Sequence, residues 1–144
     1  MFSKSCKYGI KAVLYIAQQS QLGIRVGIKE IVEAIDTPEA FTAKVLQILS
    51  KKNIVDSVKG PNGGFEIPKE KLAEIKLSHI VEAIDGEDMY TQCALGLPKC
   101  GFEKPCPVHH KFVVVKNELR YVLENTTVLE VAHKMNTIDL YLKL

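Results

Sequence analysis

The feature that most constrains the fold is a glycine-rich segment that lies between two short apolar runs. It reads "NIVDSVKGPNGGFEIPK" over residues 53–69. The runs around Val55 and Phe65 predict two short strands, and the "KGPNGG" between them supplies the proline and glycines of a tight turn. Pro68 ends the second strand, because proline has no amide hydrogen to donate to a sheet. The segment therefore predicts a β-hairpin.

Helical patterns come before this hairpin three times. The first covers residues 7–20, the second reads "IKEIVEAI" over 28–35, and the third covers 38–52. In the third, Thr37 is expected to cap the helix and Pro38 to occupy its first turn. The buried face of this helix is expected to contain Phe41, Val45, Ile48 and Leu49. Helix, short helix, capped helix and hairpin is the order of a winged helix-turn-helix, so a mainly α fold with a small β-hairpin is predicted.

The chain after the hairpin predicts a helix, an irregular loop and a long helix. "LSHIVEAID" over 77–85 has a helical pattern, and residues 87–105 are interrupted by glycine and proline. A long helix is expected from Pro107 to about Asn125, followed by a short last helix. The predicted domains are a winged helix-turn-helix DNA-binding domain (1–86), a cysteine-containing loop (87–106), and a dimerisation helix with a C-terminal helix (107–144).

The distribution of charge favours an anionic partner for the amino-terminal part. Residues 1–60 carry nine Lys or Arg against five Asp or Glu, a net +4, whereas residues 61–92 carry three against seven, a net −4. In this fold the third helix enters the major groove and the wing contacts phosphates. The expected DNA-contacting residues are Thr37, Phe41, Thr42, Lys44, Lys51, Lys52, Lys59, Gly60, Asn62 and Gly63, with Thr42 and Lys44 as base readers. A winged helix can also be a protein-interaction module that does not touch DNA.

Three of the four cysteines lie in one segment, "CALGLPKCGFEKPCPVHH", over residues 93–110. Their spacing is Cys93-x6-Cys100-x5-Cys106, whereas zinc sites usually pair their ligands as C-x2–4-C. Three soft thiolates on a glycine- and proline-containing loop suit an iron–sulfur cluster. Zinc, a thiol–disulfide switch and a loop without chemistry are the alternatives. A redox enzyme is disfavoured, because the sequence has no Cys-x-x-Cys and no βαβ pattern.

The amino-terminal segment "MFSKSCKYGIKAVLYIAQQS" has the basic start and apolar residues of a signal peptide. Lys11 interrupts its apolar run, no small-residue cleavage site follows, and the pattern is helical, so no signal peptide is expected. No apolar run approaches the roughly 18 residues of a membrane span. We therefore expect a cytoplasmic protein with no membrane partner. In that compartment disulfides are rare, and clustered cysteines more often bind metal or sense redox state.

Several motifs together resemble one family of bacterial regulators. "SCKYGIKAVLYIA" is similar to the family's first helix, "VKGPNGGFEI" to its wing, "IVEAIDG" to the segment after the wing, and "NTTVLEVA" to its last helix. With the three-cysteine loop before a long helix, these motifs cover nearly the whole chain. The sequence thus resembles the Rrf-two family of winged-helix transcription regulators. The resemblance implies a regulator, not an enzyme, that binds a palindromic operator in double-stranded DNA as a homodimer.

The family resemblance also implies a role for the loop. Some members hold an iron–sulfur cluster on a similar loop, which implies Cys93, Cys100 and Cys106 as ligands. His109 lies three residues after Cys106, on the same helix face, and is expected as the fourth ligand rather than His110. One histidine among the ligands favours a 2Fe–2S over a 4Fe–4S cluster, and the cluster can be lost in an aerobic preparation. The alternative is a family regulator without a cluster, which responds through a thiol switch, a small-molecule ligand or a partner protein.

An apolar stripe on the long helix is expected to form the dimer interface. Its members are Phe112, Val115, Leu119 and Val122. Such a stripe needs an apolar cover, and the family resemblance implies that the partner's long helix supplies it. The alternative is that the helix folds back on its own domain. Because the cysteine loop lies between the DNA-binding domain and this helix, its state is expected to set the distance between the two recognition helices.

Overall fold

The computed structural model describes residues 1–137, which form helices and one short antiparallel hairpin. The chain order is α1 (Lys4–Gln21), α2 (Ile28–Ile35), α3 (Glu39–Lys51), β1 (Asp56–Val58), β2 (Gly64–Glu66), α4 (Lys69–Leu72), α5 (Leu77–Asp85), α6 (Asp88–Thr91), α7 (His109–Glu124) and α8 (Val128–Thr137). The predicted mainly α fold with a β-hairpin is confirmed. Part of the predicted C-terminal region, residues 138–144, lies outside the described residues. None of the helices described here is long and apolar enough to cross a membrane.

Helix α1 lies at the centre of the core, because one of its sides is apolar along its whole length. It packs against α2, α3, α5 and α8, and its buried residues include Val13 and Ile16. Gly9 allows a close approach on this side, since a β-carbon there would overlap the side chain of Ile84 in α5 and press against Val45 in α3. The other elements of the domain are therefore arranged around this one helix.

The buried face of helix α3 matches the predicted one only in part, because Val45 and Leu49 are buried as expected but Phe41 and Ile48 are not. Its buried residues follow the i, i+3, i+4, i+7 pattern of an amphipathic helix, and they are Thr42, Val45, Leu46 and Leu49. Phe41 and Ile48, which were expected in the core, are 41% and 36% exposed. The true face is rotated towards Thr42, so these two apolar side chains lie on the outer surface.

The burial of Thr42 is possible because its hydroxyl group finds partners within the same turn. The hydroxyl donates to the carbonyl of Pro38 at 2.8 Å and lies 2.7 Å from the hydroxyl of Thr37. Buried polar groups are hydrogen-bonded in most proteins, and this one follows that rule. The prediction that Thr37 caps the helix is wrong, because the helix begins at Glu39 and has no side-chain cap.

The hairpin is shorter than predicted and is anchored on the segment between α1 and α2. Ser57 of β1 lies opposite Phe65 of β2, and Phe65 also exchanges two backbone hydrogen bonds with Val26, at 2.7 and 3.1 Å. The turn is closed by the amide of Gly63, which donates to the carbonyl of Gly60 at 2.9 Å. Three residues of the two apolar runs that predicted the strands are buried just outside the observed strands: Ile54, Val55 and Ile67. The wing is thus a short projection with a fixed base.

Helix α7 contacts the rest of the chain through one face. Leu123 is buried beside Cys6 of α1. The guanidinium of Arg120 lies 4.4 Å from the centre of the Tyr90 ring and 3.7 Å from the carboxylate of Glu87, which fixes the helix to α6. The large apolar side chains that α7 leaves exposed are Phe112, Val114, Val115, Tyr121 and Val122.

Candidate metal centre and nucleic-acid interface

Three thiols converge in the loop between α6 and α7. The sulfur atoms of Cys93, Cys100 and Cys106 all lie within 4.8 Å of one another. The sulfurs of Cys93 and Cys106 are 3.9 Å apart, and the amide of Cys106 donates to the sulfur of Cys100 at 3.3 Å. Two turns fold the loop. In the first, the amide of Gly96 donates a hydrogen bond to the carbonyl of Cys93, and in the second, the amide of Cys100 donates to the carbonyl of Leu97. Cysteines that are distant in sequence therefore form one group of three donors.

His109 adds a nitrogen donor to this group. It is the first residue of α7, and its Nδ1 lies 3.3 Å from the sulfur of Cys100. Its Nε2 is buried and has no hydrogen-bond partner among the described residues. The ring of Phe102 packs edge-on against it, with the two ring centres 5.2 Å apart. His110, in contrast, is exposed, and its ring lies nearly perpendicular to the ring of His109, with 5.1 Å between the ring centres.

The pKa values of the Cys93 and Cys100 thiols are shifted in opposite directions. A backbone hydrogen bond from Leu97 is the largest of several effects that lower the pKa of the Cys93 thiol to about 7. At Cys100 the amide of Cys106 lowers the pKa, but desolvation and the thiols of Cys106 and Cys93 outweigh it, and the pKa is raised. Closely spaced thiols lose their protons one after another, because each thiolate hinders the next. A cationic metal centre removes this hindrance.

A cavity of about 260 Å³ adjoins the thiols on the side of α7. Its wall contains the three cysteines and His109, and also Tyr90, Phe102, Phe112 and Lys116. The ammonium of Lys116 donates to the carbonyl of Gln92, so α7 is tied to the residue that precedes Cys93. Three thiolates, an imidazole with an unpartnered buried nitrogen, and adjoining space fit an iron–sulfur cluster.

Cys6 does not belong to this group. It is completely buried in α1, within a small apolar cluster that includes Val81 and Leu123. Burial, and to a smaller degree Asp85, raise the pKa of its thiol to about 12. A thiol of this kind is a packing group rather than a ligand or nucleophile.

The outer face of α3 presents most of the predicted helix residues to solvent. Lys44 is exposed on this face, and Lys51 and Lys52 are exposed where the helix ends. Phe41 is partly exposed, and its ring contacts the ring of Tyr8 edge-on with 5.5 Å between the ring centres. The exposed face therefore combines cations with one aromatic side chain.

The burial of Thr42 argues against its predicted role as a base reader. The side chain has no accessible surface, and its hydroxyl is occupied by Pro38 and Thr37, which is itself half-buried. A base reader has to reach the edge of a base pair in the groove. Gln47, which the sequence analysis did not select, lies on the exposed face and carries an amide suited to pairing with adenine. The correct helical phase of α3 would have identified it.

The wing presents its predicted residues at the tip of the hairpin. Lys59, Gly60 and Asn62 are exposed there, and Gly63 is half-buried. Arg25, which the sequence analysis did not select, holds this tip in place. Its guanidinium donates to the carbonyl of Asn62 at 2.8 Å and pairs with the carboxylate of Glu66 at 3.1 Å. The wing can therefore meet a DNA backbone as a preformed element.

Comparison of sequences finds transcription regulators over nearly the full chain. The model of the Rrf2 family, described as an iron-dependent transcriptional regulator, matches residues 2–134. An HTH-type transcriptional regulator of Aquifex aeolicus is 35% identical over 130 residues, which cover 89% of this chain and 88% of the relative. The transcriptional regulator IscR of Escherichia coli is 26% identical over 133 residues, which cover 92% and 80%.

Comparison of structures finds the same arrangement of elements in solved regulators. CymR, the global cysteine regulator of B. subtilis, matches with a TM-score of 0.77 at 17% identity, over 93% of this chain and 97% of that one. IscR of T. potens matches with a TM-score of 0.76 at 21% identity, over 97% and 91%. At these identities the likeness establishes the fold, a winged helix with an appended long helix.

Proposed function

The chain belongs to the Rrf2 family of transcriptional regulators, and on that premise we propose that it is a cytoplasmic, homodimeric DNA-binding regulator that responds through an iron–sulfur cluster. The family predicted from the sequence motifs is confirmed. The named relatives are regulators, so the prediction that the chain is not an enzyme is also confirmed. The cluster, the operator and the dimer are the parts that need support from the site itself.

The convergence of three thiols beside His109 is the observation that carries the cluster proposal. Cys93, Cys100 and Cys106 would hold the cluster, with His109 as the fourth ligand. Once bound, an iron–sulfur cluster supplies an iron centre that can be oxidised and reduced. The low pKa of Cys93 provides the first thiolate near neutral pH. A nitrogen donor in place of one thiolate favours the 2Fe–2S form, and 4Fe–4S is the other form considered.

The position of the loop supports a coupling between its ligands and DNA affinity. Residues 92–108 connect α6 to α7, and Lys116 ties the start of that connection to α7 itself. When the three thiols are held at one point, the two turns between them are fixed. When the thiols are released, the turns can open and α7 can shift against the domain. In a dimer joined through α7, that shift changes the spacing of the two recognition helices and so the fit to a palindromic operator.

The cluster proposal is tested by anaerobic purification, a visible absorption spectrum, and iron and sulfide analysis. We expect a coloured protein with about two irons and two sulfides per chain. Cys100→Ala is expected to abolish the colour, and His109→Ala to change the spectrum. His110→Ala is the matched control and should retain the wild-type spectrum, because His110 is exposed beside the site. A colourless protein after attempted reconstitution, with three reactive thiols in the loop, would contradict the proposal.

The coupling is tested by titrating the protein, with and without its cluster, against a duplex selected by the wild-type protein from random sequence. The affinity of both forms is measured at several salt concentrations, because DNA binding through cations weakens as salt rises. We expect the two forms to differ in affinity for the selected duplex. Equal affinities would show that the cluster does not affect DNA binding, and the proposal that the protein binds DNA would still stand.

A thiol switch is the second candidate, because the sulfurs of Cys93 and Cys106 lie only 3.9 Å apart. The Cys93 thiolate would attack a peroxide to give a sulfenic acid and hydroxide. The Cys106 thiol would then condense with it to form the disulfide and release water. Mass spectrometry of peroxide-treated, metal-free protein should show the loss of two hydrogen atoms. Cys93→Ser should prevent this loss, and a regulator that binds no iron but changes its DNA affinity on oxidation would favour this candidate.

A further inference from the structure

Three lysines share one exposed side of α1, opposite the side that packs in the core. Lys4, Lys7 and Lys11 follow one another at intervals of three and four residues, which places them on the same side of a helix. Lys4 and Lys7 are exposed and Lys11 is half-buried. None of them forms an ion pair with a described residue. We refer to these three residues as the lysine face.

The lysine face adjoins the amino-terminal end of α3. Tyr8, the neighbour of Lys7, contacts the ring of Phe41 in the first turn of α3. An open cavity of about 520 Å³ lies between α1 and the turn that joins α2 to α3, and its wall contains all three lysines with Tyr8, Ile35 and Asp36. In helix-turn-helix proteins the amino-terminal residues of the recognition helix are the ones that contact bases. The lysine face therefore borders the part of the surface that is closest to DNA in such complexes.

The lysine face weakens the helix that carries it. Lys4 is the first residue of α1, whose own first turn contains no acidic residue. The carboxylate of Asp85 in α5, which accepts hydrogen bonds from the amide and hydroxyl of Ser3, offsets only part of this charge. Cations are unfavourable there because the helix dipole already gives this end a partial positive charge. Like charges at the intervals found between Lys4, Lys7 and Lys11 add repulsion. These positions make sense if the charges serve an anion outside the chain.

We propose that the lysine face is a second phosphate-binding surface, which contacts the DNA backbone beside the groove that α3 enters. This proposal rests on the proposed DNA-binding function and extends it beyond the contacts predicted between Thr37 and Gly63. The lysines bind phosphates through charge and displace counterions, so their contribution does not depend on base sequence. The other conceivable occupant is a second copy of the chain, whose residues 61–92 carry a net −4. The contact between Tyr8 and Phe41 favours DNA, because it places the lysine face at the edge of the α3 surface.

The test compares two triple variants that remove the same charge. One carries Lys4→Gln, Lys7→Gln and Lys11→Gln. The control carries Lys69→Gln, Lys76→Gln and Lys99→Gln, which are exposed lysines outside the proposed DNA contacts. Affinity is measured over a series of KCl concentrations for the duplex selected by the wild-type protein and for a random-sequence duplex. Log affinity falls linearly as log salt concentration rises. For the lysine-face variant, the magnitude of this slope should decrease by about 0.9 for each phosphate that the protein no longer neutralises.

The expected result has three parts. The lysine-face variant binds both duplexes more weakly by a similar factor, the control keeps the wild-type slope, and the melting temperature of the lysine-face variant is equal to or above that of the wild type. A wild-type slope in the lysine-face variant would overturn this inference and leave the proposed function standing. If the wild type itself shows no salt-dependent binding to either duplex, both the proposed DNA-binding function and this inference are wrong. If the variant keeps its slope but sediments as a smaller species, the lysine face is a subunit contact and the inference is wrong.

Discussion

At the scale of single residues, Cys6 and the loop cysteines occupy opposite environments. Cys6 has no accessible surface and a thiol pKa raised to about 12, so below that pH it stays protonated and unreactive. In metal-free native protein we expect the three loop thiols to react with a thiol reagent, Cys93 before Cys100, and the fourth thiol to react only after denaturation. Cys6→Ala is the control and should remove only the slow thiol. Four fast thiols would contradict the buried position of Cys6.

Thr42 provides a second test at this scale, because the structure makes it a core residue rather than a base reader. Thr42→Val keeps the side-chain volume but removes the hydroxyl that bonds to Pro38 and Thr37. We expect the free energy of unfolding in urea to fall by about 1 kcal/mol and the DNA affinity of the folded protein to stay unchanged. Lys44→Gln should give the reverse pattern, with weaker DNA binding and a stability change within about 0.5 kcal/mol. Wild-type stability with weaker DNA binding in Thr42→Val would restore the base-reading role.

At the scale of elements, Gly64 decides how the wing joins the domain. Its φ is +136°, a conformation that residues with a side chain rarely adopt, and a β-carbon there would crowd the carbonyl of Val26. Gly64→Ala should lower the free energy of unfolding by about 1–3 kcal/mol. Gly101→Ala is the matched control, because Gly101 has no positive φ and open space around its Cα. Equal stability of the two variants, measured in urea, would mean that the wing is not anchored as described.

The elements also show how far the sequence alone could lead. The hairpin and the helices around it were predictable, because each has a local signal: glycines at a turn, a proline after a strand, or apolar residues at helical spacing. The buried face of α3 could not be predicted in full. Thr42 is buried because its hydroxyl donates a hydrogen bond to the carbonyl of Pro38, and a hydropathy pattern does not contain this information. The short helices α4 and α6 have four residues each, too few to show a period.

The same limit applies to the candidate site. The sequence identified the cysteines and His109 by residue type and spacing. It could not show that the three sulfurs meet, because that depends on the turns closed by the amides of Gly96 and Cys100. Nor could it select Arg25, since the partners of its guanidinium lie far along the chain, at the tip and second strand of the wing. Long-range pairing of this kind is set by the assembled fold.

At the scale of the whole molecule, the exposed apolar side of α7 is the proposed dimer interface, which would make two DNA-binding domains act together. Val115 and Val122 are 56% and 54% exposed in the single chain, although they belong to a stripe of the type that packs against another helix. Val115→Glu places a charge in the proposed interface, where burial without a partner is costly. We expect this variant to sediment as a monomer at concentrations where the wild type is a dimer.

The control for this experiment is Leu22→Glu, which changes an apolar side chain that is 71% exposed at the end of α1. It should leave the dimer unchanged, because it lies outside α7. Loss of the dimer should also weaken binding to a palindromic duplex far more than binding to a single half-site, since the second half-site contact becomes a separate event. A wild type that sediments as a monomer at all concentrations, or a Val115→Glu variant that stays dimeric, would show that α7 is not the interface. The apolar side of α7 would then have to pack against a different partner. The cysteine loop could not change the spacing of the two recognition helices by moving α7.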